Sequence, residues 1–182
     1  MSSVQSEQLE VTMALNQYRN GSKTLTSEVQ SYAVTGQQLY YDNYMNELNV
    51  DKNREKAVDT LKATINADEW VKFQEIQVID DGMIPAEMDA FEAMKKGNQK
   101  AAEELVFGDA YTDAVEQSDA MIAELIDEII LEALNHINKR SVEHKITVCE
   151  SDDIMLVDVD ARLNFSQITP KFLRILKQFQ PF

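Results

Sequence analysis

Apolar residues recur at alternating steps of four and three along much of the first 128 positions. Val11, Leu15, Tyr18, Ser22, Leu25, Val29 and Tyr32 follow one another in this way, and so do Leu105, Gly108, Thr112, Val115, Asp119, Ile122, Ile126 and Ile129. Such steps keep residues on one face of an α-helix, and their alternation is a heptad seam. Here the seam carries a few small or polar members. Tyr41, Tyr44, Leu48, Val58, Leu61 and Ile65 mark a second, less regular segment, and Trp70, Phe73, Ile76, Phe91 and Met94 a third.

Breaks fall at nearly even spacing, at "TG" (35–36), "NAD" (66–68) and "KKGN" (95–98). Gly36 and Gly97 suit the left-handed position just past a helix end. Lys95 and Lys96 complement the dipole of a helix C-terminus, and Asp68 and Glu69 that of an N-terminus. Four segments result, roughly 4–35, 37–65, 67–96 and 98–128, each ~45 Å long if helical. The expected fold is mainly α, an up-down-up-down four-helix bundle with a small α/β C-terminal appendage. A competing reading makes 4–48 one helix and places the turn at "NVDKN" (49–53), leaving three long helices. Four helices are preferred, because their lengths match and the glycines have roles. Gly82 and Pro85 fall inside the third helix, where a proline should kink it.

Composition narrows the class. With 182 residues, 44% of them hydrophobic, the chain can build one domain with a real core. Five glycines and three prolines are few for a loop-rich β fold. No run approaches the ~18 apolar residues of a membrane span, and "MSSVQSEQLE" shows no signal-peptide pattern. The single Cys149 rules out an internal disulfide and leaves the compartment open. Charge is uneven. Residues 1–128 hold 25 acidic and 10 basic residues, whereas 129–182 hold 7 of each, so the net charge of −15 belongs to the first part. That surface repels nucleic acid and anionic lipid. It is a solvated helical face, or else an attraction for a cationic partner.

Little in the chain points to catalysis. His136 and His144 are eight apart, whereas metal ligands on one helix face sit three or four apart. "GNQKAAEE" lacks a phosphate-loop pattern. The adjacent carboxylates Asp80–Asp81 and Glu103–Glu104 point apart around a helix. No catalytic residue, metal or cofactor is therefore assigned, and an enzyme is not expected. Tyr40, Tyr41 and Tyr44 cluster after the first corner, with Arg54 and Trp70 elsewhere on the bundle. Such aromatic and arginine side chains recognise small carboxylates or amines, although core and interface packing is their commoner use.

The stretches "SYAVTGQQLYYDNYMNELNVDKNREKAVDTL" and "AEMDAFEAMKKGNQKAAEELVFGDAYTDAVEQ" resemble the four-helix-bundle sensor domain of bacterial methyl-accepting chemotaxis receptors, over about residues 5–128. Related bundles occur in sensor kinases and cyclase receptors. The resemblance implies a module outside the cell, between two membrane helices, that dimerises and binds small molecules or partner proteins. This sequence lacks those membrane helices, the methylated helices and the signalling hairpin, so a sensory module rather than a working receptor is implied.

"DEIILEALNHINKRSVEHKITVCESDDIMLVDVDARL", residues 127–163, resembles the opening of the ATP-binding domain of sensor histidine kinases, the potassium-responsive Kdp type being nearest. The resemblance implies a helix, the strands "KITV" and "IMLVDV", and a helix starting at Asp160. The asparagine and glycine boxes of that family are absent, so no ATP-contacting residue carries over. Residues 165–182 hold four of the seven phenylalanines and no acid. Phe172, Leu173, Ile175, Leu176 and Phe179, with Lys171, Arg174 and Lys177, form an amphipathic stretch. It folds onto the short strands, docks on a membrane surface, or is the product of a shifted frame or truncated gene.

The expected domains are a bundle over 1–128 and a kinase-like segment over 129–182. The expected function is a ligand- or partner-sensing module of a bacterial signalling receptor. The alternative is a non-catalytic fragment of a histidine kinase. A homodimer is expected, with an amino acid, an organic acid or a partner protein as ligand. Nucleic acid is not a partner, and membrane contact runs only through a parent receptor. The two resemblances differ in compartment. The module lies on the extracytoplasmic face as part of a receptor, or in the cytoplasm if the chain stands alone.

Overall fold

A computed structural model describes residues 3–148, with side chains placed over residues 7–136. Helix α1, Ser3–Thr35, stops at Gly36, whose φ of +65° is the left-handed conformation glycine adopts at little cost. The Gly36 N–H still reaches back to the Tyr32 carbonyl at 2.8 Å. The chain reverses into α2, Gln38–Asn46, followed by a π-helical turn, Glu47–Asp51, and α3, Asn53–Thr64. Asn66 makes the second corner with a capping box. Its side chain accepts from the Asp68 and Glu69 N–H groups at 2.9 Å, and the Glu69 carboxylate accepts from the Asn66 N–H at 3.0 Å.

Helix α4, Ala67–Lys95, ends on the third corner. Gly97, at φ +73°, donates to the Met94 carbonyl, and Asn98 to that of Ala93, both at 2.9 Å. This pair of bonds is the Schellman closure of a helix C-terminus. Helix α5, Gln99–Phe107, and α6, Asp109–Val148, complete the described chain.

The buried residues sort into two clusters that reveal the threading. One joins Val11, Leu15 and Tyr18 to Ala57 and Leu61, Phe73 and Ile76, and Ile122, Leu125 and Ile129. The other joins Leu25, Val29 and Tyr32 to Tyr44, Met83, Ala90 and Phe91, and Ala102, Val106 and Tyr111. The chain therefore passes from the first cluster to the second and back twice. It forms a mainly helical bundle of four antiparallel rods: α1, α2 with α3, α4, and α5 with α6. The reversals at Gly36, Asn66 and Gly97 fall where the sequence places them, and the single helix over 4–48 is excluded. Residues 49–53 do break the helical pattern, but inside the second rod rather than at a corner.

Two details differ from expectation. The fourth rod is not one helix, because Gly108 (φ −68°, ψ 156°) is extended and separates α5 from α6. A Cβ there would lie 2.5 Å from the Glu104 carbonyl oxygen, so only glycine permits that approach. The break resets the phase. Val106, Tyr111 and Ser118 face inward, whereas the expected Leu105, Gly108, Thr112, Val115 and Asp119 are only half-buried; Ile122 and Ile129 are buried as expected. Second, residues 145–148, "KITV", are the end of α6 and not a strand. An established helix adds one hydrogen bond per further residue, and that cooperativity outweighs the weak β preference of Ile, Thr and Val. Gly82 and Pro85 both lie inside α4, where the sequence places them. The expected strand "IMLVDV", the helix at Asp160 and the amphipathic tail lie outside the described residues.

Candidate functional site

Between the two apolar clusters lies a belt of polar side chains to which every rod contributes. Its presence follows from the third rod, whose buried positions Phe73, Ile76, Asp80, Met83, Glu87 and Ala90 keep one unbroken heptad seam. Two of those six positions are carboxylates. Asp80 is 2% exposed and Glu87 3%, and buried charges persist only when paired or hydrogen-bonded.

Arg54, near the start of α3, answers Asp80. Its Nη2 donates to the Tyr18 hydroxyl at 3.0 Å and to Asp81 Oδ1 at 2.9 Å, and lies 4.0 Å from Asp80 Oδ2. The Ser22 hydroxyl donates to the same Asp80 oxygen at 2.8 Å. Asp80 Oδ1 and Arg54 Nε are buried without a hydrogen-bond partner. Burial pulls the Arg54 proton affinity down, but Tyr18, Asp80 and Asp81 together reverse this and raise it above the ordinary arginine value. The guanidinium also lies over the Tyr18 ring, 5.1 Å from its centroid.

The second rod bends around this group. Glu47, 5% exposed, opens the π-helical turn, and its carboxylate accepts from the Asn53 N–H at 3.0 Å and from Asn53 Nδ2 at 2.8 Å. A buried acid thereby caps the N-terminus of α3, where negative charge is favoured. Lys52, between them, has φ +50°, the one positive φ outside glycine among the described residues. Across the gap, Gly21 of α1 leaves a notch. A Cβ there would sit 3.1 Å from both Arg54 Cγ and Glu47 Oε1. At the fourth rod, Arg19 donates to both oxygens of Asp119, at 2.5 and 2.7 Å, with Lys23 at 3.2 Å. The Arg19 bond holds the Asp119 carboxyl below its ordinary range, and Lys23 reinforces it.

A second polar node sits within the cluster nearer Gly36. Both oxygens of Glu87 are taken by phenols, Tyr44 at 2.5 Å and Tyr111 at 2.7 Å. Burial pushes the phenols of Tyr44 and Tyr111 well above the usual tyrosine value of 10.0, and the Glu87 charge adds to that; burial does the same to Tyr18 against the opposing pull of Arg54.

The five sequence-derived candidates do not converge. Tyr41 packs near the first corner with Tyr32 and Phe91, ring centroids 5.8 and 5.0 Å away, and Tyr40 packs half-buried against the same cluster. Tyr44 is fully buried on Glu87. Arg54 holds the belt. Trp70 belongs to the other cluster, 5.7 Å from Phe73. Asp80 enters the sequence reading only as half of the Asp80–Asp81 pair, on which Arg54 in fact converges, and Glu87, Glu47 and Tyr111 do not enter it as site residues. Continuing the heptad phase beyond Ile76 would have reached Asp80 and Glu87.

An open groove of about 560 Å³ lies beside Leu9, Glu10, Met13, Ala14, Gln17 and Thr60, away from all five candidates. Among the described residues no group of three or more His, Cys, Asp or Glu could hold a metal ion, and no helix is long and apolar enough to cross a membrane. No protein-family model, curated protein or solved structure matches the chain.

Proposed function

We propose that the chain is the sensory module of a bacterial signal-transduction receptor, set on the extracytoplasmic face and working as a homodimer without turning a substrate over. It takes an amino acid, an organic acid or a partner protein as its signal. One observation carries this reading: four rods bring the start of α1 and the outgoing part of α6 to one pole, with Val11 and Ile129 in the same core cluster. A module strung between two membrane helices needs that arrangement. Output by a small displacement of the fourth rod fits the same geometry, because α6 continues from the core through Val148 without a break.

Thermal unfolding against a panel of amino and organic acids tests the reading, with MgATP included. A ligand present at a hundred times its Kd adds about 2.7 kcal/mol to the stability of the folded state, so one panel member should raise the melting temperature by several degrees. A response to MgATP alone would overturn the sensory assignment in favour of a kinase fragment. Sedimentation equilibrium should give twice the chain mass, and a strict monomer at high concentration would remove the dimer.

A further inference from the structure

The second rod carries two backbone irregularities in six residues, the π-helical turn Glu47–Asp51 and the left-handed Lys52. A π-helical turn is one residue too many for an α-helix, and such turns gather at functional places. A non-glycine residue in the left-handed region is strained and persists only where its surroundings hold it. Glu47 and Arg54 do the holding here. Glu47 ties the turn to the first residue of α3, and Arg54 sinks between α1 and α4. The neighbours are shaped to match. Gly21 leaves the notch that admits both side chains. In α4, Pro85 has no N–H for the carbonyl of Asp81, so the third rod lacks a backbone bond where Arg54 docks.

The packing on either side belongs to different clusters. Ala57 and Leu61 of α3 belong to one core cluster and Tyr44 of α2 to the other. Arg54 Nε and Asp80 Oδ1 remain unmatched inside the belt, so this arrangement does not use all of its hydrogen-bonding capacity.

We propose that the Glu47–Lys52 turn is a joint in the second rod, about which α3 moves relative to α2, and that Arg54, seated on Tyr18 and Asp81 beside Asp80, latches its resting position. The purpose of the joint rests on the sensory role, whereas the motion itself does not. A measurement without ligand therefore separates the two, since either can fail alone.

Amide hydrogen exchange on the full chain provides that measurement. Amides of residues 47–60 should exchange at least tenfold faster than those of residues 15–29, through a local opening that leaves α1 protected. Lys52→Gly removes the left-handed strain from the resting form and should slow exchange at 47–60 by about fivefold, with α1 unchanged. Lys52 is exposed, so this variant keeps the core intact. Exchange of residues 47–60 in step with α1, or a Lys52→Gly effect spread evenly over the bundle, overturns the joint.

Discussion

Arg54 is the residue on which the belt turns, because it faces two aspartates and a phenol while most of its own length is buried. Its removal leaves the Asp80 carboxylate in a low-dielectric interior with only the Ser22 hydroxyl to satisfy it. Breaking a buried pair from one side costs about 3–5 kcal/mol, whereas replacing both partners is often close to neutral. Arg54→Met should therefore lower the urea midpoint sharply, and Arg54→Met with Asp80→Asn should recover much of the loss. Equal midpoints for the single and double variants would show that Asp80 does not depend on Arg54. Legibility in the sequence was partial at this scale. Arg54 is a candidate in the sequence for its side-chain type alone, but its partners are not, because an aspartate or glutamate in a helix reads as solvent-facing until the seam around it is followed. Nothing in a linear pattern places Tyr44 and Tyr111 on one carboxylate, since 67 positions separate them.

At the scale of the elements, the corners were legible and the interruptions within rods were not. Gly36, Asn66 and Gly97 carry local signals, a left-handed glycine or a capping side chain with Glu69 three residues on. Gly108 has φ −68°, open to any residue, and its reason for being glycine is the Glu104 carbonyl one turn back. That reason exists only once the chain is folded, so the heptad pattern alone does not give the phase of the fourth rod. Gly108 and Gly82 make a matched test. Gly108→Ala drives a Cβ against backbone and should cost about 1–3 kcal/mol. Gly82→Ala meets nothing within 4 Å inside α4 and should gain about 0.5–1 kcal/mol. Denaturation midpoints that moved in the same direction would contradict the packing described around Gly108.

The molecule as a whole should show its buried phenols in alkali. Tyr18, Tyr44 and Tyr111 hold their protons well above 10.0 in the folded chain, whereas the unfolded chain releases them near that value. Their contribution is therefore fully present below about pH 10 and falls as the pH rises further. The slope is up to about 1.4 kcal/mol per pH unit for each phenol, about 4 for the three together. Loss of helicity at 222 nm should coincide with the absorbance rise at 295 nm that reports these ionisations. Full ionisation with the helices intact would mean that the three hydroxyls reach water without unfolding. One of the groups involved has a mechanical consequence as well. The two oxygens of a carboxylate are a fixed distance apart, so Glu87 sets the spacing between Tyr44 on the second rod and Tyr111 on the fourth as a strut would. With that brace engaged, the half of the bundle beside Gly36 shifts as a block, and twisting within it must first snap a phenol from the acid.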